Sequence, residues 1–367
     1  MSHLLEPRVP SPAAPETPKV RVMVVEDSAV VRDFLTHILS LTADLQVVGV
    51  AHDGEQAVAM VRDCRPDVIT MDIHMPGMNG FEATRRIMET QATPIVIVSG
   101  SSTVEESATA FRALEFGAVA IMPRPYGFGH PEFAASAERL VETVRLMAEV
   151  KVVRRWAQAE TRAAAAPARW VAPEPGPAEV RIVAIGASTG GPAAIATILA
   201  ALPKGLPFPL VIVQHICAGF TAGLGEWLAT TSGLPVQVAA DGDFLLPGHV
   251  YVAPNGTHLG VSAHRVRLAA DPAENGLRPA VSYLFRSVAA AFGKQAVAVL
   301  LTGMGTDGAA ELKLIRDRGG LTIAQDRASS IVHGMPGEAI RLGAAVHVLA
   351  PEAIGAFLRS LGKRQTA

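Results

Sequence analysis

Hydrophobic and polar residues along this chain follow two repeating patterns, one typical of strands and the other of helices. Short apolar runs rich in Val and Ile are typical of buried strands, whereas the stretches between them repeat their apolar residues as amphipathic helices do. In the first part of the chain, the pattern predicts strands at 20–25, 46–50, 67–71, 95–98 and 118–122. With helices between these strands, we expect a five-stranded, doubly wound parallel sheet.

The second part of the chain repeats this alternation on a larger scale. Its apolar runs predict strands at 180–185, 210–213, 236–239, 249–253, 297–301, 321–324 and 346–349. We therefore expect a second, mostly parallel sheet, so that both halves belong to the α/β class.

Two stretches lack this periodicity. Residues 1–19 contain five prolines and no apolar segment like that of a secretion signal, which predicts a disordered tail. Residues 148–178 begin with a basic run and continue rich in Ala, Pro and Arg, which predicts a helical extension passing into a largely disordered linker. The expected domains are therefore 20–147 and 179–362.

Composition narrows the class of protein. The 367 residues, 49% of them hydrophobic, suffice for two cores, and the net charge of −2 argues against a nucleic-acid partner. The two cysteines, Cys64 and Cys217, are too few for a disulfide framework or a zinc site, which favours a reducing cytoplasm. Residues 182–203 carry no charge, but their glycines, internal proline and Ser-Thr pair argue against a membrane span.

The turn at 186–190 is the first candidate for chemistry. Its sequence, Gly186-Ala187-Ser188-Thr189-Gly190, has the Gly-x-Ser-x-Gly spacing that exposes a serine hydroxyl at a strand end beside free backbone N–H groups. A phosphate-binding loop is the alternative, but both the Gly-x-Gly-x-x-Gly pattern and the P-loop lysine are missing from this turn. Ser188 is therefore a candidate nucleophile.

A serine nucleophile needs a base and a group that orients the base. His215 and Asp307 both follow predicted strands, so we expect them at the sheet edge that carries Ser188. Each has a structural alternative, because an isolated histidine is often a core or surface residue and an aspartate in a Gly-rich loop often caps a turn or helix. Cys217 is a weaker candidate nucleophile, since it lies only two residues beyond His215.

A second group of polar residues follows the strands of the first predicted sheet. Glu26 and Asp27 follow the first strand, Asp72 the third, Ser99 the fourth and Arg124 the fifth. Ligands of such sheets bind beyond the carboxyl ends of the strands. Three carboxylates at one edge repel each other unless a cation joins them, and an oxygen-only cluster suits Mg²⁺. The alternative is that these acids are solvated loop residues.

These residues resemble the receiver domain of two-component response regulators, which has a flavodoxin-like (βα)5 fold. The matching segments are Val24-Val25-Glu26-Asp27-Ser28, 71–80 and Val98-Ser99-Gly100. The resemblance implies that Asp72 is the phosphoacceptor and that a histidine kinase is the phosphodonor. It also implies Mg²⁺ binding by Glu26, Asp27, Asp72 and the backbone carbonyl of His74. Ser99 is implied as the hydroxyl that senses the phosphoryl group.

Arg124 departs from the resembled pattern, which usually has lysine at this place. Its planar guanidinium cannot occupy the volume of an ammonium group. It either contacts phosphorylated Asp72 with both of its amino groups, or it pairs with the free acids and competes with Mg²⁺. We favour the first alternative, because the three acids and Ser99 are all retained.

The second predicted domain resembles the catalytic domain of the chemotaxis protein-glutamate methylesterase and glutaminase family, CheB. The matching segments are 184–191, 213–215, 246–254, 301–308 and 325–336, and the order of receiver, linker and esterase matches as well. The resemblance implies a catalytic triad of Ser188, His215 and Asp307. The candidate donors of an oxyanion hole are the backbone N–H groups of Thr189, Gly190 and Met304.

The resemblance also implies the substrates and the way in which the activity is regulated. The substrates are glutamyl γ-methyl esters on the cytoplasmic helices of methylated chemoreceptors, which release methanol, and receptor glutamines, which release ammonia. The esterase step needs no cofactor, and the receiver is implied to cover the cleft until it is phosphorylated. We expect a cytoplasmic protein that neither inserts into membranes nor binds nucleic acid. The alternative is a non-enzymatic response regulator whose second domain only binds a partner.

Overall fold

The computed structural model describes residues 19–100, 103–152 and 179–366. The predicted tail at 1–19 and the predicted linker at 148–178 lie almost entirely outside the described residues. The domain boundaries at these two places therefore stay predictions.

The first sheet has five parallel strands. They are β1 (Val20–Val25), β2 (Leu45–Ala51), β3 (Val68–Met71), β4 (Ile95–Ser99) and β5 (Ala120–Pro123). The helices are α1 (Ala29–Ser40), α2 (Gly54–Cys64), α3 (Gly80–Thr90), α4 (Val104–Phe111) and α5 (Phe133–Ala148), with a 3-10 turn at Arg112–Leu114. The spatial order β2-β1-β3-β4-β5 is the flavodoxin-like order, and it confirms the predicted fold of this half.

The second sheet has seven parallel strands. They are β6 (Ile182–Ala187), β7 (Leu210–Gln214), β8 (Val236–Val238), β9 (Val250–Val252), β12 (Ala296–Leu300), β13 (Leu321–Gln325) and β14 (His347–Leu349). The helices are α6 (Gly191–Ala200), α7 (Thr221–Ser232), α8 (Val281–Phe292), α9 (Ala309–Asp317), α10 (Met335–Arg341) and α11 (Pro351–Thr366), with a 3-10 turn at Gly293–Gln295. The spatial order is β14-β13-β12-β6-β7-β9-β8, which confirms the predicted mostly parallel α/β sheet.

Strand β6 shows why the apolar runs in this sheet are nearly continuous. Ile182 and Ala184 pack into the core on the side of α8, whereas Val183 and Ile185 pack into the core on the side of α6. Because helices cover both faces, every position of the strand is buried. The uncharged run 182–203 is thus a strand followed by a helix. In the described part of the chain, no helix combines the length and apolar composition needed to cross a membrane.

A β-hairpin was missing from the predicted elements. Its strands, β10 (His258–Ser262) and β11 (Arg265–Ala269), pair antiparallel. The two residues that connect them, Ala263 and His264, have φ angles of 46° and 67°, a left-handed conformation that Asn-Gly pairs usually supply. The sequence Ala-His carries no such turn signal, so the hairpin could not be recognised from local sequence.

The two domains pack against each other through α4 and α7. The indole Nε1 of Trp227 donates a 2.9 Å hydrogen bond to Oε1 of Glu115, and the ring stacks on Phe111 with centroids 5.6 Å apart. At Gly223 the helices approach so closely that an added Cβ would lie 2.6 Å from the backbone nitrogen of Ala108. This contact holds the first domain beside the carboxyl edge of the second sheet.

Candidate active site

The structure places Ser188, His215 and Asp307 beyond the carboxyl ends of three neighbouring strands. Ser188 follows β6, His215 follows β7 and Asp307 lies in the loop after β12, and these strands adjoin in the order β12-β6-β7. His215 Nε2 lies 2.9 Å from Oδ2 of Asp307. Ser188 and His215 line one cavity of about 600 Å³. The shared edge expected from the sequence is thus where the three residues lie.

The turn after β6 is held by hydrogen bonds on both sides of Ser188. Its backbone N–H donates to the carbonyl of Thr302 at 3.0 Å, and its carbonyl accepts from the N–H of Gly191 at 2.8 Å. Gly190 has a φ of 78°, a left-handed conformation that favours glycine. The turn therefore passes directly into α6 and leaves the serine at the edge of the sheet.

Asp307 is a buried carboxylate with three donors. Besides His215, the backbone N–H groups of Val281 and Ser282 donate to it at 2.6 and 2.9 Å. Burial alone would raise the pKa of Asp307, but the hydrogen bonds from His215 and Ser282 outweigh it and lower the pKa below the usual range. The group is therefore ionised at neutral pH. Asp307 also caps α8, whose own N-cap residue, Ala280, has no side chain for the task.

The cavity beside Ser188 contains free backbone donors. Within the described part of the chain, the N–H groups of Thr189, Gly190 and Met304 form no hydrogen bond, whereas those of Ser188 and Gly191 do. Thr189, Gly190 and Met304 all line the cavity. Such N–H groups are the hydrogen-bond donors that stabilise a developing oxyanion.

Cys217 lines the same cavity without the properties of a nucleophile. Burial raises the pKa of its thiol, and the positive charge of Arg139 only partly opposes this effect. The thiol therefore stays protonated at neutral pH, which disfavours it as a nucleophile.

Sequence reasoning gave no role to two buried polar residues of this site, Thr302 and Gln214. The Thr302 hydroxyl lies 2.9 Å from the carbonyl oxygen of Thr189 and accepts a hydrogen bond from the N–H of Val332. Gln214 contacts the backbone of Ser188 and His215. Both residues could have been recognised in the sequence as polar residues at the end of an apolar strand. A polar side chain buried there needs a hydrogen-bond partner.

The receiver half brings its own acids together. Ligand oxygens of Glu26, Asp27 and Asp72 all lie within 4.8 Å of one another. Burial, and next the charge of Asp72, raise the pKa of Glu26 to about 7. Burial also raises the pKa of Asp72, although Arg124 opposes it. An oxygen-only cluster with such repulsion fits a hard divalent cation such as Mg²⁺. His74 is exposed beyond β3, and Ser99 is buried at the end of β4.

Arg124 contacts these free acids in the structure. Its Nη2 lies 3.1 Å from Oε2 of Glu26 and 3.7 Å from Oδ1 of Asp72. Its buried Nε has no hydrogen-bond partner among the described residues. Arg124 thus pairs with the free acids, whereas the sequence favours contact with phosphorylated Asp72. The guanidinium can reach the acids because it extends past Gly100, where an added Cβ would lie 3.1 Å from Nη1.

Family models of known proteins match the two halves of the chain separately. Residues 22–130 match the family model of the response regulator receiver domain, and residues 183–358 match that of the CheB methylesterase. The chain therefore belongs to the class of proteins that join a receiver domain to a methylesterase-type domain.

Full-length relatives match across this whole arrangement. A protein-glutamate methylesterase/protein-glutamine glutaminase of Nitrosospira multiformis is 53% identical over 346 residues, covering 93% of this chain and 97% of the relative. A protein of the same name from Geobacter metallireducens is also 53% identical over 346 residues, covering 93% and 99%. This chain belongs to the protein-glutamate methylesterase/protein-glutamine glutaminase family, which confirms the resemblance inferred from its motifs.

Proposed function

We propose that this protein hydrolyses glutamyl γ-methyl esters of chemoreceptors to glutamate and methanol, and receptor glutamines to glutamate and ammonia. Membership of the family supports both reactions. The observation that carries the proposal is the hydrogen bond between His215 and the ionised Asp307, in a cavity that also contains Ser188 and free backbone donors.

The hydrogen bond to Asp307 supports different roles for the two imidazole nitrogens. Because Asp307 is ionised and accepts, Nε2 of His215 carries the proton, and Nδ1 keeps the lone pair. Nδ1 is therefore the base that takes the proton of Ser188 as the hydroxyl oxygen attacks the ester carbonyl. Asp307 then stabilises the imidazolium that forms.

The remaining steps return the serine to its starting state. The oxyanion of the tetrahedral intermediate accepts hydrogen bonds from backbone N–H groups among Thr189, Gly190 and Met304. The ester C–O bond breaks, and His215 protonates the departing methoxide. Water then attacks the acyl-serine with His215 again as base, which releases glutamate and restores the hydroxyl of Ser188.

The receiver is the regulatory half in this proposal. A histidine kinase phosphorylates Asp72, and Glu26, Asp27, Asp72 and the backbone carbonyl of His74 would hold Mg²⁺. The cation supplies charge neutralisation for the incoming phosphoryl group. Ser99 and Arg124 are the residues proposed to respond to the phosphoryl group. We propose that the protein acts in the cytoplasm, where the receptor helices that are its proposed substrates lie.

Receiver residues on one wall of the cavity support this regulation. Residues of α5, among them Arg139 and Leu146, line the same cavity as Ser188. In this proposal, α5 in this position restricts the access of a receptor helix to the serine. We propose that phosphorylation of Asp72 weakens the contact between α4 and α7 and thereby opens the cavity.

The direct test is methanol release from a methylated chemoreceptor fragment. The full chain should release methanol faster with Mg²⁺ and a small phosphodonor than without, and Ser188→Ala should lower the rate on the order of 10⁴-fold or more. A phosphorylated, folded protein that binds the receptor without releasing methanol would instead be a non-enzymatic regulator.

A further inference from the structure

We propose that Gln214 is a positioning residue that sets the spacing between Ser188 and His215. Its side-chain Nε2 donates to the carbonyl oxygen of Ser188 at 2.8 Å and to that of His215 at 2.9 Å. One nitrogen thus joins the backbones of the nucleophile and the base. The proposal rests on the function proposed above, in which these two residues react together.

The sheet alone does not fix this spacing. The ladder between β6 and β7 ends with the pair Ala187 and Gln214, and its last hydrogen bond runs from the N–H of His215 to the carbonyl of Ala187 at 2.9 Å. Beyond this bond the two chains separate, one into α6 and the other into the loop before α7. The Gln214 amide takes the place of the next rung and holds the first residues beyond the ladder.

The orientation of the amide follows from its surroundings. Both neighbouring acceptors are carbonyl oxygens, so the nitrogen must face them, and Gln214 is only 3% exposed. Its Oε1 has no hydrogen-bond partner among the described residues. A buried acceptor without a partner is costly, which indicates that the two bonds made by Nε2 determine where the side chain lies.

Gly191 shows how tightly the amide is confined. An added Cβ at this position would lie 2.1 Å from Oε1 of Gln214 and 2.7 Å from Cβ of Ala187. Glycine is needed here for space, whereas its neighbour Gly190 needs its left-handed backbone. The first turn of α6 therefore packs directly on the amide.

Two variants separate positioning from general stability. Gln214→Met keeps the length of the side chain and removes both donors, and Gln214→Asn keeps the amide but draws it back by one methylene. Tyr251→Phe is the matched control, and Tyr251 lies on the neighbouring strand β9. Its buried hydroxyl likewise joins two backbone groups, the carbonyl of Phe244 and the N–H of Leu246. In all three variants, a buried side chain that joins two backbone groups of the same domain is removed or shifted.

The measurement is kcat and KM for methanol release by the full chain, with unfolding midpoints for each variant. Because a misplacement of about 1 Å costs about 100-fold in rate, both Gln214 variants should lower kcat by about 10- to 100-fold, with KM changed by less than about twofold. Tyr251→Phe should lower only the unfolding midpoint. Should Gln214→Met fail to fold, Gln214→Asn gives the result. If kcat of the folded Gln214 variants equals that of Tyr251→Phe, the proposal is overturned.

A second readout keeps this result independent of the proposed substrate. The rate at which phenylmethanesulfonyl fluoride labels Ser188 depends on the arrangement of serine and base and needs no receptor. A wild-type chain that is labelled but releases no methanol would contradict the proposed function alone. Labelling of the Gln214 variants at the wild-type rate would contradict the positioning role alone.

Discussion

Nε2 of His215 lies 2.9 Å from Oδ2 of Asp307, and the same carboxylate caps the first turn of α8 through Val281 and Ser282. Asp307 therefore joins the candidate base to a helix that begins 26 residues earlier in the chain. From the sequence alone, a catalytic aspartate and a helix cap are alternatives for this residue. In the structure, one carboxylate makes both sets of contacts.

The first prediction concerns Asp307→Asn. The amide cannot fix the proton on Nε2 of His215, so kcat for methanol release should fall by about 10⁴-fold, as expected for a triad with the wrong tautomer. The control is Asp243→Asn, because Asp243 also accepts hydrogen bonds, from Ala240 and Gln237, in an exposed loop of the same domain. Equal activity of the two variants would show that Asp307 serves only as a helix cap.

The second prediction concerns the contact between α4 and α7. Gly223→Ala would place a Cβ 2.6 Å from the backbone nitrogen of Ala108, so the helices must separate. We expect the unphosphorylated variant to release methanol several times faster than the wild type.

Gly225→Ala is the matched control for this contact. It introduces the same methyl group into the same helix, where the nearest atom within range, Cγ2 of Val238, lies 3.9 Å away. Both changes carry the same intrinsic helix gain of about 1 kcal/mol. Autoinhibition by the receiver is contradicted if the two variants have the same basal rate.

The third prediction concerns Arg124→Met. Removing the guanidinium from Glu26 and Asp72 should strengthen Mg²⁺ binding to the unphosphorylated protein on the order of tenfold, because a unit charge at this distance is worth at least about 1 kcal/mol. Titration calorimetry with Mg²⁺ measures the change. Arg145→Met is the control, since Arg145 pairs with Asp44 instead of the acidic cluster. Unchanged Mg²⁺ affinity would show that Arg124 does not compete with the cation.

The fourth prediction concerns pH. The folded pKa of Glu26 is raised from 4.5 to about 7, so the stability that it contributes while protonated is lost as the pH rises through about 7. Mg²⁺ binds the carboxylate form, and it should therefore raise the unfolding midpoint more at about pH 8 than at about pH 6. Glu26→Gln should remove most of this difference. A Mg²⁺ effect that is equal at both pH values in the wild type argues against Glu26 as a ligand.

Much of the architecture was predictable because both sheets are parallel. Buried parallel strands such as β6 and β7 are apolar at nearly every position, and amphipathic helices separate them, so the order of elements is visible in the sequence. The carboxyl ends of such strands share one edge, which brings Ser188, His215 and Asp307 together without further information. The hairpin β10–β11 escaped prediction because Ala263 and His264 adopt left-handed conformations that their side chains do not favour.

Contacts made by long side chains were not predictable in the same way. The guanidinium of Arg124 reaches the free acids past Gly100, where an added Cβ would lie 3.1 Å from Nη1. The contacts of Gln214 depend on the space that Gly191 leaves. The packing of Trp227 against the receiver joins elements more than a hundred residues apart. Each of these depends on distances that only the folded chain defines.

Ser188 and His215 are proposed to act together as nucleophile and base. The most direct measurement is the methanol-release rate of Ser188→Ala, His215→Ala and the double variant, with phosphorylated full chain and methylated receptor. Each single change should lower kcat on the order of 10⁴-fold or more, and the double variant should be little slower than either single variant. Losses that multiply in the double variant, or a Ser188→Ala protein that releases methanol at nearly the wild-type rate, would contradict this joint role.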